Sequence, residues 1–238
     1  MRVAVVSDIH SNLQALEATL SAIDAEAPDE LWCLGDLVGY GPRPNECCAA
    51  ITERADVCLA GNHDLAVRGA IDLEEFGGEA AVAARWTREV LAPEAQALLD
   101  RLEPAGTAHG VALYHGSARD PIWEYVLSNE AALATLDLTD SVLVLVGHSH
   151  VALQVVDSGI ELAPVGTELE LGGVRALLNP GSVGQPRDGD PRAAYLLLDL
   201  DTQHASFRRV EYDVKRTQRE MRDAGLPEML AGRLELGL

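Results

Sequence analysis

Short apolar runs that end in polar turns recur through the first part of the chain. Residues 2–7 form such a run before Asp8 and predict a strand. The next segment begins near Ser11, has apolar residues at helical spacing and predicts an amphipathic helix. The residues on its apolar face are Leu13, Leu16, Leu20 and Ile23. Runs at 30–34 and 55–60 repeat the arrangement, so the pattern predicts β-turn-α units with polar residues at the carboxyl ends of the strands.

The later part of the chain mixes helices with consecutive strands. Residues 72–103 are rich in Ala, Glu, Leu and Arg, and Pro93 divides them into two predicted helices. Apolar runs at 111–114 and 142–146 predict two strands, each with a histidine just beyond its end. After residue 150, alternating segments predict mostly antiparallel strands, a turn at 157–159 and a final helix at about 213–224. The predicted strands there are 151–156, 174–178, 194–200 and 205–212.

Length and composition favour one domain. The 238 residues can bury the core of a large α/β domain, and no Ser/Gly-rich or Pro-rich linker divides them, so we predict a single domain over 1–238. Hydrophobic residues make up 47% of the chain but aromatic residues only 4%, which predicts a core of Leu, Val and Ala. The apolar tail 234–238 is expected to dock either on its own domain or on a second subunit, which leaves a homo-oligomer open.

Charge and cysteine usage narrow the partners and the compartment. The net charge of −20 argues against extended nucleic acid and anionic membranes, because phosphate backbones bind basic surfaces. A small phosphorylated substrate, such as a nucleotide, stays open because bound cations can supply positive charge locally. The four cysteines show no CxxC pair and no regular spacing, which favours free thiols in a reducing compartment. With no leader-like start and no run long enough to span a bilayer, we expect a cytoplasmic protein.

Candidate chemistry is concentrated in five short motifs, each at the end of a predicted strand. They are Asp8-Ile9-His10, Gly35-Asp36, Gly61-Asn62-His63-Asp64, His115-Gly116 and Gly147-His148-Ser149-His150. Their carboxylate, amide and imidazole groups are the ligand inventory of a two-metal hydrolytic site. Asp8 and His10 are two positions apart, so on extended backbone both side chains would point to the same side and could grip one cation.

Each motif alone is weak evidence. Asp8 at a strand end would more often be a cap than a ligand, and Gly35-Asp36 is a common turn pair. The third motif is more specific, because the Asn62 amide oxygen can ligate a metal while the His63 imidazole stays free for acid–base chemistry. Asp64 is expected either to orient the His63 ring or to cap the segment that follows.

The order of the five motifs resembles the calcineurin-like metallophosphoesterase superfamily, whose pattern reads D-x-H, G-D, G-N-H-D/E, H and G-H-x-H. The match continues into residues 179–187. The N-P-G-S block there and the G-D-x-x-G-Y-G-P loop at 35–42 look like the small bacterial and archaeal phosphodiesterase branch. The resemblance implies an α/β fold, a four-layer α/β/β/α sandwich of two mixed sheets flanked by helices.

The resemblance also implies a role for each motif residue. One metal would be held by Asp8, His10, Asp36 and His150. The other would be held by Asp36, Asn62, His115 and His148, with Asp36 as the bridge. His63 would be the non-ligating histidine that protonates the leaving oxygen or stabilises the phosphoryl charge. Nitrogen and oxygen donors suit divalent transition metals, among which we expect Mn²⁺ first and leave Fe, Co²⁺, Ni²⁺ and Zn²⁺ open.

The implied activity is hydrolysis of a phosphodiester or dinucleoside polyphosphate by a hydroxide that bridges two metals. A phosphomonoesterase, including a phosphoprotein phosphatase, and a non-catalytic binding module on the same fold are the alternatives. Phosphoprotein phosphatases of this superfamily carry G-D-x-V-D-R-G, whose Arg binds phosphate, and residues 35–41 lack that Arg. Substrate binding is therefore expected from arginines that can clamp phosphate and an aromatic ring that can stack. The candidates are Arg43, Arg119, Arg187 and Tyr40.

Overall fold

The computed structural model describes residues 1–156 and 159–238, in which strands form two mixed sheets. The strands of the first sheet are β1 (Arg2–Val6), β2 (Glu30–Cys33), β3 (Val57–Cys58), β9 (Glu168–Glu170), β11 (Ala193–Asp199) and β12 (His204–Val210). Their order is β3-β2-β1-β11-β12-β9. β1, β2 and β3 are parallel, whereas the other three strands pair antiparallel. The carboxyl ends of β1 to β3 therefore meet at one end of this sheet.

The second sheet also has a parallel centre. Its strands are β4 (Ala105–Ala108), β5 (Val111–Tyr114), β6 (Leu143–Val146), β7 (Ala152–Val156), β8 (Gly159–Leu162) and β10 (Ala176–Pro180). Their order is β4-β5-β6-β10-β7-β8. β5, β6 and β10 run parallel, and antiparallel strands flank them on both sides. The histidines that follow β5 and β6 consequently lie at the same end of this sheet.

Helices cover the outer faces of both sheets. They are α1 (Leu13–Glu26), α2 (Pro44–Arg54), α3 (Asn62–Arg68), α4 (Gly78–Val90), α5 (Pro93–Leu99), α6 (Asn129–Asp137), α7 (Val214–Asp223) and α8 (Glu228–Gly232), with 3₁₀ turns at Leu73–Glu75 and Arg233–Glu235. The Asn12 side chain caps α1 by accepting from the Ala15 N–H. Pro93 opens α5, so the predicted pair of helices within 72–103 is confirmed.

Alternation along the strands separates the layers. In β1, Val3 and Val5 belong to the apolar cluster between the two sheets, while Ala4 and Val6 pack with the helices on the outer face. In β6, Val144 packs under α6. The cluster between the sheets contains the fully buried Trp32 and the buried Phe207. The predicted four-layer α/β/β/α arrangement is therefore confirmed.

Two differences from the sequence prediction have local causes. The run 55–60 gives only the two-residue strand β3: the Leu59 N–H still bonds to Cys33 O of β2, but the Ala60 N–H bonds to the Glu103 carbonyl, where the chain turns away from the strand. The strands after residue 150 do not form one consecutive ladder. The chain leaves the second sheet at Gly181, whose φ of 81° redirects it to β11 in the first sheet.

Other expectations have separate outcomes. The final helix predicted at 213–224 is confirmed as α7. The turn predicted at 157–159 lies outside the described residues except for Gly159. The single domain over 1–238 stays a prediction. Leu234 of the tail is buried in its own chain, against α7 and α8. No helix within residues 1–156 and 159–238 has the length and apolar character needed to cross a membrane.

Candidate metal centre

The predicted ligands converge between the carboxyl ends of the parallel strands of both sheets. Asp36 lies at the centre: its Oδ2 is 3.4 Å from His10 Nε2 and 3.5 Å from His115 Nε2. Asn62 reaches the same place, with its Oδ1 3.3 Å from His115 Nε2. The first sheet contributes Asp36 and Asn62, and the second sheet contributes His115. The centre is therefore built across the interface between the two sheets.

The side chains form two groups that share one carboxylate. In each group, atoms able to bind a cation lie within 4.8 Å of one another. The first group is Asp8, His10, Asp36 and His150, and the second is Asp36, His115 and His148, with Asn62 beside it. All these residues are buried. The structure thus brings together all seven predicted ligand positions, with Asp36 common to both groups.

Backbone carbonyls orient the four histidines. His10 Nδ1 is 3.1 Å from the Val38 carbonyl oxygen, and His115 Nδ1 is 2.8 Å from that of Leu34. His150 Nδ1 is 2.6 Å from the Gln185 carbonyl. His148 uses its other nitrogen, Nε2, which is 3.2 Å from the Trp123 carbonyl. Since a carbonyl only accepts, each of these nitrogens donates, and the opposite nitrogen of each ring points to the centre.

The inward nitrogens face one another at short distance. His10 Nε2 lies 3.1 Å from His150 Nε2, and His115 Nε2 lies 3.2 Å from His148 Nδ1. Asp8 Oδ1 is buried and has no hydrogen-bond partner among the described residues. In the first group, the lone pairs of the neutral His10 and His150 rings face each other beside an unpaired carboxylate oxygen and repel, and a cation there relieves the repulsion. In the second group, a cation replaces the proton that the Asp36 carboxylate keeps on His115. The donor set therefore fits two divalent ions.

The pKa values of the ligand side chains show which histidine rings are neutral. Burial lowers the pKa of His10 and His150 well below the usual range and that of His148 to about 3, so these rings are neutral, as ligands must be. Burial also acts on His115, but the Asp36 carboxylate outweighs it and raises the His115 pKa to about 9. Burial raises the pKa of Asp8 to about 7. Without a cation, a proton on His115 balances Asp36.

The loops that carry the ligands have unusual backbone conformations. Five of the seven positions have φ between 48° and 63°, in the left-handed region. They are Asp8, His10, Asp36, His148 and His150. Asp8 and His10 therefore do not project from extended backbone, and that part of the prediction is wrong although the two side chains meet. Each such residue costs about 1–2 kcal/mol, which hydrogen bonds between the loops offset: the Asp8 N–H donates to Gly35 O and the His10 N–H to Asp36 O.

A close backbone approach fixes Asp36. A Cβ at Gly61 would lie 2.0 Å from Asp36 Oδ1, so only glycine fits there. The next residues start α3, and the His63 N–H donates to Asp36 Oδ1 at 2.9 Å. The shared carboxylate is thus held from the main chain of the third motif.

His63 lies against the centre without belonging to either group. Its ring is 4.9 Å from the His10 ring and 4.4 Å from the Tyr40 ring, measured between centroids. Its Nδ1 is buried with no partner among the described residues, and burial lowers its pKa to about 4. A Cβ at Gly39 would lie 2.4 Å from this nitrogen, so the glycine makes room for the ring.

The predicted contact between Asp64 and the His63 ring is not formed. The Asp64 carboxylate accepts instead from the backbone N–H groups of Gly61, Leu37 and Val38, at 2.9 to 3.2 Å. Asp64 closes the capping box of α3 and ties the Asp36 loop to it. The other interpretation, that Asp64 caps the segment after it, is not confirmed either, because the N-cap of α3 is Gly61 and Asp64 lies at the third position of that helix.

The three candidate arginines have different positions. Arg43 pairs with Glu46 and Glu220, and Arg119 pairs with Glu124 and Glu130, so neither guanidinium is free to clamp phosphate. The structure does not support Arg43 and Arg119 as phosphate-binding residues, because neighbouring carboxylates already pair with them.

Arg187 and Tyr40, in contrast, flank the centre. The Arg187 Nη2 donates to Gln185 Oε1 at 2.9 Å, and its guanidinium carbon lies 5.8 Å from the centroid of the Tyr40 ring. The Tyr40 ring is 4.6 Å from the His10 ring. The positive charge of Arg187 contributes to the lowered pKa of His10 and His150, after burial. Of the three candidate arginines, Arg187 is therefore the one that lies against the centre.

Several contributors escaped sequence reasoning. The buried Asn179 side chain donates to Gly147 O at 2.7 Å and to Ser149 Oγ at 3.0 Å, and Ser182 Oγ donates to Asp8 O at 2.7 Å. The N-P-G-S block therefore holds two ligand loops together. Its presence was the only signal for this role. Tyr125, which the scarcity of aromatic residues had already marked as a candidate beside the motif loops, stacks on His148 with centroids 4.1 Å apart.

Comparison with known proteins agrees with this geometry. The model of the calcineurin-like phosphoesterase superfamily domain matches residues 1–203. An uncharacterized protein of Methanocaldococcus jannaschii is 38% identical over 245 residues, covering 99% of this chain and 98% of that protein. A metallophosphoesterase from Sphaerobacter thermophilus is 42% identical and superposes with a TM-score of 0.91, covering 100% and 99% of the two chains.

A hypothetical protein from Pyrococcus horikoshii OT3 shares the fold, with a TM-score of 0.83 and 22% identity over 100% of this chain and 98% of that one. The family model, the relatives and the two ligand groups around Asp36 lead to the same assignment. This chain belongs to the calcineurin-like phosphoesterase superfamily.

Proposed function

We propose that this protein is a two-metal phosphoesterase that hydrolyses a phosphodiester or a dinucleoside polyphosphate. The observation that carries the proposal is the pair of buried ligand groups that share Asp36, in which each histidine is aimed by a backbone carbonyl. When bound, two divalent ions supply an activated water and neutralise charge on the phosphoryl group. We propose Mn²⁺ first among the ions that such nitrogen and oxygen donors bind.

The residues have separate proposed tasks. Asp36 bridges the two groups, and the carbonyl-bound histidines keep the site rigid. His63 stays unligated beside the first group, where its ring protonates the leaving oxygen or stabilises charge on the phosphoryl group. Arg187 neutralises a phosphate oxygen at the rim. The intact ligand set argues against a purely non-catalytic binding module.

Aromatic residues support a substrate with a base or aryl group. Four of the ten Phe, Trp and Tyr residues surround the centre. Tyr40 and Phe76 lie against His63, Trp123 lies 5.3 Å from Phe76, and Tyr125 stacks on His148. A chain with so few rings places nearly half of them at this site, which favours a nucleotide over a phosphoprotein.

The test is metal-dependent turnover of bis-p-nitrophenyl phosphate. Protein stripped with EDTA should be inactive and recover with Mn²⁺, and Asp36→Asn or His63→Ala should lower kcat by about 10²–10⁴-fold. His109→Ala is the matched control, because His109 is half-exposed and pairs with Glu30. Unchanged turnover in both site variants would overturn the assignment.

A substrate panel separates the classes. Turnover of bis-p-nitrophenyl phosphate and diadenosine tetraphosphate well above that of p-nitrophenyl phosphate supports the proposed class, and the reverse order supports a phosphomonoesterase.

We also propose a cytoplasmic location. Support comes from the four cysteines, which are free thiols, three of them buried.

A further inference from the structure

His63 is held differently from the four ligand histidines. Each ligand ring is fixed by a hydrogen bond to a backbone carbonyl. The His63 ring forms no hydrogen bond within the described part of the chain, and its buried Nδ1 lies against Gly39. Three rings surround it instead, at centroid distances of 4.4 Å for Tyr40, 4.6 Å for Phe76 and 4.9 Å for His10. Packing contacts, rather than hydrogen bonds, therefore set the position of the His63 imidazole.

Among these three rings, that of Phe76 comes from outside the ligand loops. His10 and Tyr40 lie in loops that carry ligands, whereas Phe76 lies in residues 69–77, which join α3 to α4 and are called here the α3–α4 connection. The Phe76 ring meets the imidazole of His63 edge-on, at an interplanar angle of 64°, a preferred geometry for aromatic pairs. Its centroid lies 5.3 Å from that of the Trp123 ring. The His63 ring is thus held in part by a segment that carries no metal ligand.

The α3–α4 connection fixes Phe76 by local contacts. Leu73 and Phe76 are buried and belong to the apolar cluster under the helices, whereas Asp72, Glu74 and Glu75 are exposed. The Glu75 N–H donates to Asp72 O and the Phe76 N–H to Leu73 O, both at 3.2 Å, so the 3₁₀ turn closes on itself. The Asp72 carboxylate accepts from the Glu74 N–H at 3.0 Å and caps the turn. The turn therefore holds its own shape, and Leu73 anchors it on the core while Phe76 reaches His63.

We propose that Phe76 is a positioning residue, which keeps the His63 ring directed at the substrate without binding the substrate itself. The inference rests on the proposed function and deepens it, because it names what holds an imidazole that has no hydrogen bond. A group that donates a proton or stabilises charge must lie within hydrogen-bond reach of the reacting oxygen. Rotation about the outer torsion of a histidine is broad, so without the Phe76 ring the imidazole can turn into the vacated space. His63 then spends less time within reach of the oxygen.

A double-mutant cycle on the Mn²⁺-loaded full chain tests this role. Phe76→Leu should lower kcat for bis-p-nitrophenyl phosphate by about tenfold and leave KM within about twofold, which is part of the loss of about 10²–10⁴-fold expected without His63. In the His63→Ala background, the same substitution should lower kcat by less than about twofold, because the ring that Phe76 positions is already absent. Phe76→Tyr keeps an aromatic ring in this place and should retain kcat within about threefold.

Phe207→Leu is the matched control. Phe207 is the other phenylalanine of the chain and lies in the apolar cluster between the two sheets. Its replacement should change kcat by the same factor with and without the His63 ring, because the two residues act independently. Equal losses from Phe76→Leu in the two backgrounds would overturn the proposal, since they are expected if Phe76 binds the substrate directly or serves only folding.

Nuclear Overhauser spectra decide the same point without turnover. Zn²⁺ replaces Mn²⁺ in this experiment because Zn²⁺ is diamagnetic. A cross-peak between ring protons of Tyr40 and His63, whose centroids are 4.4 Å apart, should be present in the wild type and in Phe76→Tyr and be lost in Phe76→Leu. An undiminished cross-peak in Phe76→Leu would overturn the proposal. Absence of phosphoesterase turnover in the wild type would instead overturn the proposed function, and the cross-peak would still decide whether Phe76 positions the ring.

Discussion

Strand β5 has a histidine near each end, and the two differ in nearly every respect. His109, before the strand, is 48% exposed, pairs with Glu30 and lies 6.0 Å from the Trp32 ring, between centroids. His115, after the strand, is fully buried between a carbonyl and Asp36. His109 also has a positive φ of 47°, so backbone strain alone does not mark a ligand. What distinguishes His115 is a ring nitrogen aimed by a carbonyl at a shared carboxylate.

Replacement of each of these two histidines by alanine should give the largest difference in catalytic activity. His115→Ala removes an inward nitrogen from the second ligand group and should lower kcat/KM for bis-p-nitrophenyl phosphate by about 10³-fold, since two-metal stabilisation supplies several kcal/mol. His109→Ala should stay within about twofold, because surface ion pairs contribute little. Steady-state kinetics measures both. Similar losses in the two variants would remove the distinction between the ends of the strand.

Metal removal should give the second largest effect, which is a loss of stability. At a free metal concentration of about 1,000 times the Kd, metal binding adds about 4 kcal/mol to the free energy of unfolding. For a chain of this size that corresponds to a rise in Tm of about 8–16 °C. Differential scanning fluorimetry with EDTA and then with Mn²⁺ measures it. The His109→Ala variant should show the full shift and His115→Ala a smaller one. An identical Tm with and without metal would contradict the site.

Two glycines give a finer comparison between the metal centre and the turn that carries His109. Gly39 and Gly110 both have positive φ, 87° and 80°. A Cβ at Gly110 meets nothing within 4 Å, whereas one at Gly39 lies 2.4 Å from His63 Nδ1. Gly110→Ala should cost about 1 kcal/mol for the backbone alone. Gly39→Ala should cost about 1–3 kcal/mol more from the displaced ring, and should also lower kcat. Urea unfolding combined with kinetics separates these effects.

The smallest effect on stability is expected from two buried cysteine thiols that lie outside the metal centre. Burial raises the pKa of Cys47 and Cys48 in α2 above the unfolded value of 9.0. Above that pH the unfolded chain loses thiol protons that the folded chain keeps, so stability falls as the pH rises. The loss should be about 1 kcal/mol per thiol one unit above pH 9. Urea midpoints of metal-free protein between pH 8 and 10 should decline, and less steeply for Cys47→Ala.

The apolar runs and the polar motifs that follow them were visible in the sequence. The four-layer order and the role of each motif residue were implied by the resemblance to the superfamily that those motifs carry. The backbone carbonyls of Leu34, Val38 and Gln185 that orient the histidines could not be predicted from the sequence. Every residue has a carbonyl, and only the fold determines where it points. The same limit explains the errors. Asp64 binds main-chain donors rather than the His63 ring.

Ion pairs between residues far apart in the chain also could not be predicted from the sequence. Arg43 pairs with Glu220, which is 177 positions away, so its position after a motif loop gave no warning that it was engaged. Residues that act through tertiary contacts need the structure before their partners can be named.

Metal stoichiometry tests the central claim most directly. Elemental analysis of protein purified with Mn²⁺ and dialysed should give two ions per chain in the wild type and in His109→Ala, and fewer than two in His115→Ala. The paired ligand groups that share Asp36 require this result. A wild-type content below one ion per chain, or equal contents in His109→Ala and His115→Ala, would contradict the account.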